Sequence, residues 1–318
     1  AIGVPRQMIS LADFGSFHVG GRRVLISGKP TETLQFTGAT SFESDPNGAY
    51  HLDQAYVQYF IPAERKHDLP VLLVHGGGMI GANWETTPDG RTGWLHRFLE
   101  AGFATYVIDN VERGRAGWCA LPDQWEGAPV MRSEEQSWVL FRFGTLEGFS
   151  SGKTFEGSQF PVEALGNFAK QFVPRWTTTT DIMRQGVIAA LERIGPCAVI
   201  CHSQGGDLTL ETIARRPDLV RHVVALEPSG FPDPAKAVDP RTQHWLFIMG
   251  DFIEANPFWV DLIERTQMAA DGLTTLGADA SFLHLPKQDV LGNSHMLMMD
   301  RNSDQIADLT IDWLAQRL

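Results

Sequence analysis

The stretch "AVICHSQGGDLTLETIARR", Ala198 to Arg216, decides how the chain is read. A short run rich in β-branched residues ends in Cys-His-Ser-Gln-Gly-Gly, and a helical pattern begins directly after it. A serine set on such a strand-to-helix corner is held out for attack, and the usual form of the corner is Gly-x-Ser-x-Gly. Here Cys201 takes the first glycine position. That position needs only a small residue where helix and strand meet, so the departure is mild. Gly205 lets the helix backbone pass close to the strand, and Gly206 follows without a side chain. Ser203 is therefore a candidate nucleophile; the plainer alternative is a serine that caps a helix.

Working outward, strands and helices alternate from about residue 69 to the end, the pattern of a mainly parallel sheet with helices on both faces. "LPVLLVHGGG" is a buried strand running into a glycine loop, "WLHRFLEAGF" a helix and "ATYVID" the next strand. "DIMRQGVIAALERIG" carries Met183, Val187, Leu191 and Ile194 on one face, ends at Gly195 and is stopped by Pro196. "CAVICHS" is a strand, and the helix from Gly206 to Arg216 follows it. "HVVALEP", "HWLFIMG" and "ASFLHLP" are further strands. "SDQIADLTIDWLAQRL" closes the chain as a helix, with Ser303 as its N-cap and Ile306, Leu309, Trp313 and Leu314 facing inward. Before residue 69, "SFHVGGRRVLIS" and "AYVQYFIPAE" read as an antiparallel hairpin entering the sheet. The reading is a single domain, 1–318, with no internal repeat and no low-complexity linker.

Residues 112–178 break the alternation. They hold eleven aromatics in 67 positions, interleaved with glycines and prolines, between the "ATYVID" strand and the helix that leads to Cys197. An aromatic-rich insertion there fits a cap over an apolar ligand pocket. A loop-rich extension of the core or a dimer contact fits equally well with the composition.

A serine hydroxyl is a poor nucleophile at neutral pH and needs a base beside it, an acid to orient that base, and backbone N–H donors for the developing oxyanion. The chain order expected is serine, acid, histidine. His295 is the candidate base, because "DVLGNSHMLMMDRNS" places it in a loop after the last strand and before the closing helix. His202 precedes the serine and is expected to point the other way; His75 opens the glycine loop, and His244 and His284 fall in strands. For the acid, Glu227 follows "HVVAL", and Asp251 or Glu254 follows "HWLFIMG", the commoner location. Glu227 is favoured: it terminates a fully apolar strand and is held by Pro228, so an ionised group there needs a partner. The oxyanion donors are expected from the Gln204 N–H and from Gly77 or Gly78 in "VHGGG". A phosphate loop is the rival reading of those glycines, but no Lys-Ser/Thr follows them.

Composition narrows the rest. A formal charge of −12 and the lack of a basic stripe speak against a nucleic-acid partner, and no apolar run is long enough to span a bilayer. Cys197 and Cys201 lie about 13 Å apart along one strand, too far to bridge; three buried thiols, with Cys119, is the simplest expectation. No cysteine or histidine spacing suggests a metal, and neither metal nor cofactor is expected. The start at Ala-Ile-Gly fits a removed secretion signal, or mere trimming.

With "VHGGG", "CHSQGG", "ALEPSG" and "GNSHM" in place, the chain from about residue 20 onward resembles the α/β-hydrolase superfamily, and within it the atypical bacterial carboxylesterases of the esterase 713 type. The resemblance implies a cofactor-free serine esterase with Ser203 as nucleophile, His295 as base and a glutamate after the sixth strand, Glu227, as acid. It also implies a periplasmic or secreted enzyme, a homodimer and a small-molecule ester substrate. A serine peptidase or acyltransferase would keep the same three residues. A binding protein without catalysis would not require all of them.

Overall fold

The computed structural model describes residues 8–318, so the Ala-Ile-Gly start lies outside the described residues. Among the described residues the strands are β1 Leu11–Ile26, β2 Glu32–Gln35, β3 Ser41–Ser44, β4 Gly48–Pro62, β5 Val71–Val74, β6 Thr105–Asp109, β7 Cys197–His202, β8 Val220–Leu226, β9 His244–Met249 and β10 Asp279–His284. The α-helices are α1 Trp94–Glu100, α2 Glu134–Leu140, α3 Leu146–Phe149, α4 Leu165–Ala169, α5 Thr180–Ile194, α6 Gln204–Arg215, α7 Pro257–Thr275 and α8 Ser303–Ala315. Eight strands form one sheet in the order β1-β4-β6-β5-β7-β8-β9-β10. From β6 to β10 the neighbours are parallel; β4 is antiparallel to β6, and β1 to β4.

The parallel strands β5 to β9 are short, mostly apolar runs because both their faces are covered, while the edge strand β10 is only half-buried. Alternation along them sorts the side chains onto the two faces. Val71, Leu73, Ala198, Ile200, Val224, Leu226, Leu246 and Ile248 pack with α1 and α8. Leu72, Val74, Val199, Cys201, Val223, Ala225, Trp245 and Phe247 pack with α5, α6 and α7. Gly205 sits where α6 crosses β5: a Cβ there would come within 2.9 Å of the carbonyl oxygens of Val74 and His75. The α/β-hydrolase fold expected from the sequence is the fold observed.

The N-terminal hairpin runs longer than its sequence pattern. β4 begins at Gly48, and an exposed two-stranded hairpin, β2–β3, stands in the connection. Ser303 does not cap α8; Asn302 occupies the cap position, and Ser303 Oγ instead accepts a hydrogen bond from Arg91 at 3.1 Å. Cys197 and Cys201 are buried, with burial pushing both thiols up to about 12, but Cys119 is only half-buried; all three are free. Among the described residues no helix is long and apolar enough to cross a membrane.

Residues 112–178 hold α2, α3 and α4. Trp138, Phe141, Phe143, Phe160, Phe168 and Phe172 join the core on the α1/α8 face, with Phe143 and Phe160 stacked at 3.8 Å. Much of the aromatic excess is therefore core. Short helices and irregular backbone need such anchors, since their own hydrogen bonds are too few to hold them.

Candidate active site

The loops that follow the C-terminal ends of β5, β7, β8 and β10 meet at one edge of the sheet, the edge at which open α/β sheets place ligands. Ser203 leaves β7 with φ 53° and ψ −118°, a left-handed conformation costing about 1–3 kcal/mol for a residue with a side chain. The corner is fixed from both sides: Ser203 N–H donates to the Leu226 carbonyl at 3.1 Å, and the Ser203 carbonyl accepts from Gly206 at 2.9 Å and Ser229 at 3.0 Å. Other residues around the site also hold positive φ, among them Glu112, Arg142, Glu227 and Phe252. Backbone strain is thus gathered at this edge.

Glu227, fully buried at the end of β8, receives the His295 Nδ1–H on Oε1 at 2.7 Å. That hydrogen bond leaves His295 Nε2 as the unprotonated nitrogen of the neutral ring. The same carboxylate is gripped by Arg142, with Nη1 to Oε1 at 2.9 Å and Nη2 to Oε2 at 2.5 Å, and by the Gly250 N–H at 2.6 Å. Burial raises the Glu227 carboxyl, but the Arg142 charge and the hydrogen bonds from His295 and Arg142 outweigh it and hold it down at about 2. Ser203, His295, Gln204 and Gly77 line one pocket of about 150 Å³. No hydrogen bond joins Ser203 Oγ to His295, a contact that in unliganded sites is often loose and tightens with substrate.

The other two candidate acids are placed differently. Asp251 accepts from the Gly292 N–H at 2.8 Å and the Phe252 N–H at 2.7 Å, bracing the loop that carries His295. Glu254 is exposed. That same loop is held by Asp300, which is fully buried and accepts from Ser294 N–H at 2.8 Å, Ser294 Oγ at 2.7 Å and Asn293 Nδ2 at 2.9 Å.

His202 is a correction. It does not point away: its Nε2 lies 2.8 Å from the His295 carbonyl, its ring is 4.4 Å from the His295 ring, and it lines the same pocket. Side chains alternate only while the backbone stays extended, and the left-handed turn at Ser203 brings both residues to one side. Burial holds His202 well below its ordinary value, so it is neutral.

The oxyanion candidates separate. Gln204 opens α6, where the first N–H groups have no partner in the helix. Its Oε1 accepts from Arg113 Nη2 at 3.0 Å, which holds the side chain in place. Gly76 and Gly77 line the Ser203 pocket, whereas Gly78 lines a larger neighbouring cavity of about 660 Å³.

Sequence patterning alone misses four arginines: Arg113, Arg132, Arg142 and Arg175. Arg142, with its guanidinium 4.5 Å from the Trp259 ring, is flanked in sequence by the buried Phe141 and Phe143. A charged residue between two core aromatics was the available signal.

Burial lowers the His295 ring from its ordinary 6.5, against the upward pull of Glu227. A ring that serves as a general base must be unprotonated, so a reaction that uses His295 in this way would be lost as pH falls through that lowered value. The acid limb of a kcat/KM profile is accordingly expected below pH 6.5, and a limb above 6.5 would contradict this environment.

No protein-family model matches the chain. A curated relative, the probable secreted lipase phiG of a fungal species (strain ATCC 74256), is 26% identical over 326 residues, covering 85% of this chain and 88% of that protein. In three dimensions the chain is similar to a solved structure of a novel bacterial esterase. The two share 32% identity, a TM-score of 0.83 and coverage of 99% of each chain.

Proposed function

The chain belongs to the α/β-hydrolase family together with that bacterial esterase and is a carboxylic ester hydrolase, and we propose that it works through a Ser203-His295-Glu227 triad and an acyl-enzyme. The observation that supports this most is the 2.7 Å bond from His295 Nδ1 to a buried, ionised Glu227, with His295 and Ser203 lining one pocket. His295 Nε2 takes the proton from Ser203 Oγ as the oxygen attacks the ester carbonyl carbon. The C–O π electrons move onto the carbonyl oxygen, and the N–H groups of Gln204 and Gly77 hold that oxyanion. Collapse expels the alcohol, which leaves with the proton from Nε2. Water then attacks the acyl-serine, gives a proton to His295, and the acid is released as Ser203 recovers it.

Glu227 is not a proton carrier in this scheme. Held at about 2, it stays ionised and stabilises the imidazolium that forms. The segment 112–178 acts as a cap: its residues Val130, Met131, Val139 and Val173 wall the larger cavity beside the Ser203 pocket. The secreted relative supports an exported enzyme. An acyl-enzyme predicts a burst: mixed rapidly with a 4-nitrophenyl ester, the protein should release about one equivalent of nitrophenol before the steady state. Linear release from the first turnover at saturating substrate, with acyl-serine never trapped by acid quench, would contradict the scheme.

A further inference from the structure

The four arginines at the site differ in their anionic partners. Arg142 is paired with Glu227, and Arg113 lies 3.4 Å from Glu112. Arg132 and Arg175 form no ion pair among the described residues; Glu112 and Asp207 act on Arg175 only from beyond ion-pair distance. Arg132 Nη1 donates to the Gly77 carbonyl at 3.2 Å, and its guanidinium sits 4.7 Å from the Phe141 ring. Arg175 Nε is buried with no hydrogen-bond partner at all. Gly77 makes room for that guanidinium, since a Cβ on it would overlap Arg175 Nη1.

Both arginines line the Ser203 pocket and also the larger cavity, so they stand at the junction of the two. Burial, and the nearness of Arg175, push Arg132 down to about 10, which leaves it cationic at neutral pH. Holding two like charges half-desolvated and unpaired is unfavourable unless an anion offsets them. Beyond them the cavity wall is apolar, with Val130, Met131, Val139, Leu140, Leu146 and Val173. Glu135 also lines this cavity and is exposed.

From this juxtaposition we infer that the preferred substrate is an ester bearing a free carboxylate, which Arg132 and Arg175 bind beside Ser203 while an apolar portion fills the larger cavity. The inference rests on the esterase reading above. A guanidinium matches a planar carboxylate with two parallel hydrogen bonds, and a two-oxygen group suits a pocket of about 150 Å³.

The test compares monobenzyl esters of the straight-chain diacids from succinic to suberic with benzyl esters of the matching neutral acids. The readout is the ratio of kcat/KM within each pair. For the native protein at least one pair is expected to favour the carboxylate by about tenfold or more, with the preference shrinking as salt is added. In Arg175→Gln and in Arg132→Gln that ratio should fall toward one, mainly through KM on the carboxylate ester, and Arg175→Lys should restore part of it. A native protein that prefers the neutral ester in every pair would overturn the inference. Equal losses on both members of a pair would also overturn it, since the arginines would then serve the oxyanion or the fold. If the neutral esters are hydrolysed, those failures leave the esterase reading standing. If no ester is hydrolysed and Ser203 takes no fluorophosphonate, the esterase reading itself has failed.

Discussion

Ser203→Ala is expected to lower kcat on a neutral ester by about 10⁴- to 10⁶-fold and to leave the protein folded. The first part follows from the chemistry: without Oγ no acyl-enzyme forms, and only binding and the oxyanion donors remain, which in serine hydrolases still accelerate the reaction over water. The second follows from the corner. The left-handed backbone is fixed by the Leu226, Gly206 and Ser229 hydrogen bonds, all of which are main-chain. Alanine bears the same Cβ in the same conformation, so the strain is neither added to nor relieved. A thermal unfolding midpoint close to the native value would accompany the loss. Activity within about tenfold of native would mean that another group attacks the ester.

Glu227→Gln is expected to cost on the order of 10⁴-fold in kcat, the scale seen when the acid of such a triad is neutralised in place. A glutamine amide no longer stabilises the imidazolium, and it turns either an oxygen or an N–H toward His295 Nδ1. Three donors now converge on this carboxylate from Arg142 and Gly250, beyond the one from His295. The amide cannot accept them all, so stability should fall as well. Arg142→Met separates the two effects. It leaves the triad intact but strands a buried carboxylate, costing about 3–5 kcal/mol. It also removes a charge that lowers both His295 and Glu227, so the acid limb of the pH profile should move upward. Glu254→Gln, on an exposed loop, should change kcat by less than about twofold. A larger loss at Glu254 than at Glu227 would reverse the assignment of the acid.

The corner at Ser203, the loop at His295 and the strand end at Glu227 were legible because each is a local event. A strand buried on both faces reads as an unbroken apolar run, and a charged residue that ends such a run stands out. Glu227 could be flagged from "HVVALEP" alone, but not the identity of its partner. Arg142 lies 85 residues away in a segment of three short helices whose spacing follows neither helical nor strand periodicity. His202 departs from its expected direction for a related reason: strand alternation ends with β7 at His202, and the backbone turns at Ser203. Ser303 was off by one position, as helix ends defined by a single capping residue often are. The unpartnered arginines were beyond reach of any pattern, because being unpaired is a property of three-dimensional neighbours.

An activated Ser203 is the premise of the whole mechanism. The direct measurement is intact-protein and peptide mass spectrometry after exposure to a fluorophosphonate, run beside Ser203→Ala and His295→Ala. One adduct, mapped to Ser203, absent from the first variant and strongly slowed in the second, is the predicted result. No adduct on the folded native protein, or an adduct that persists in Ser203→Ala, would contradict it.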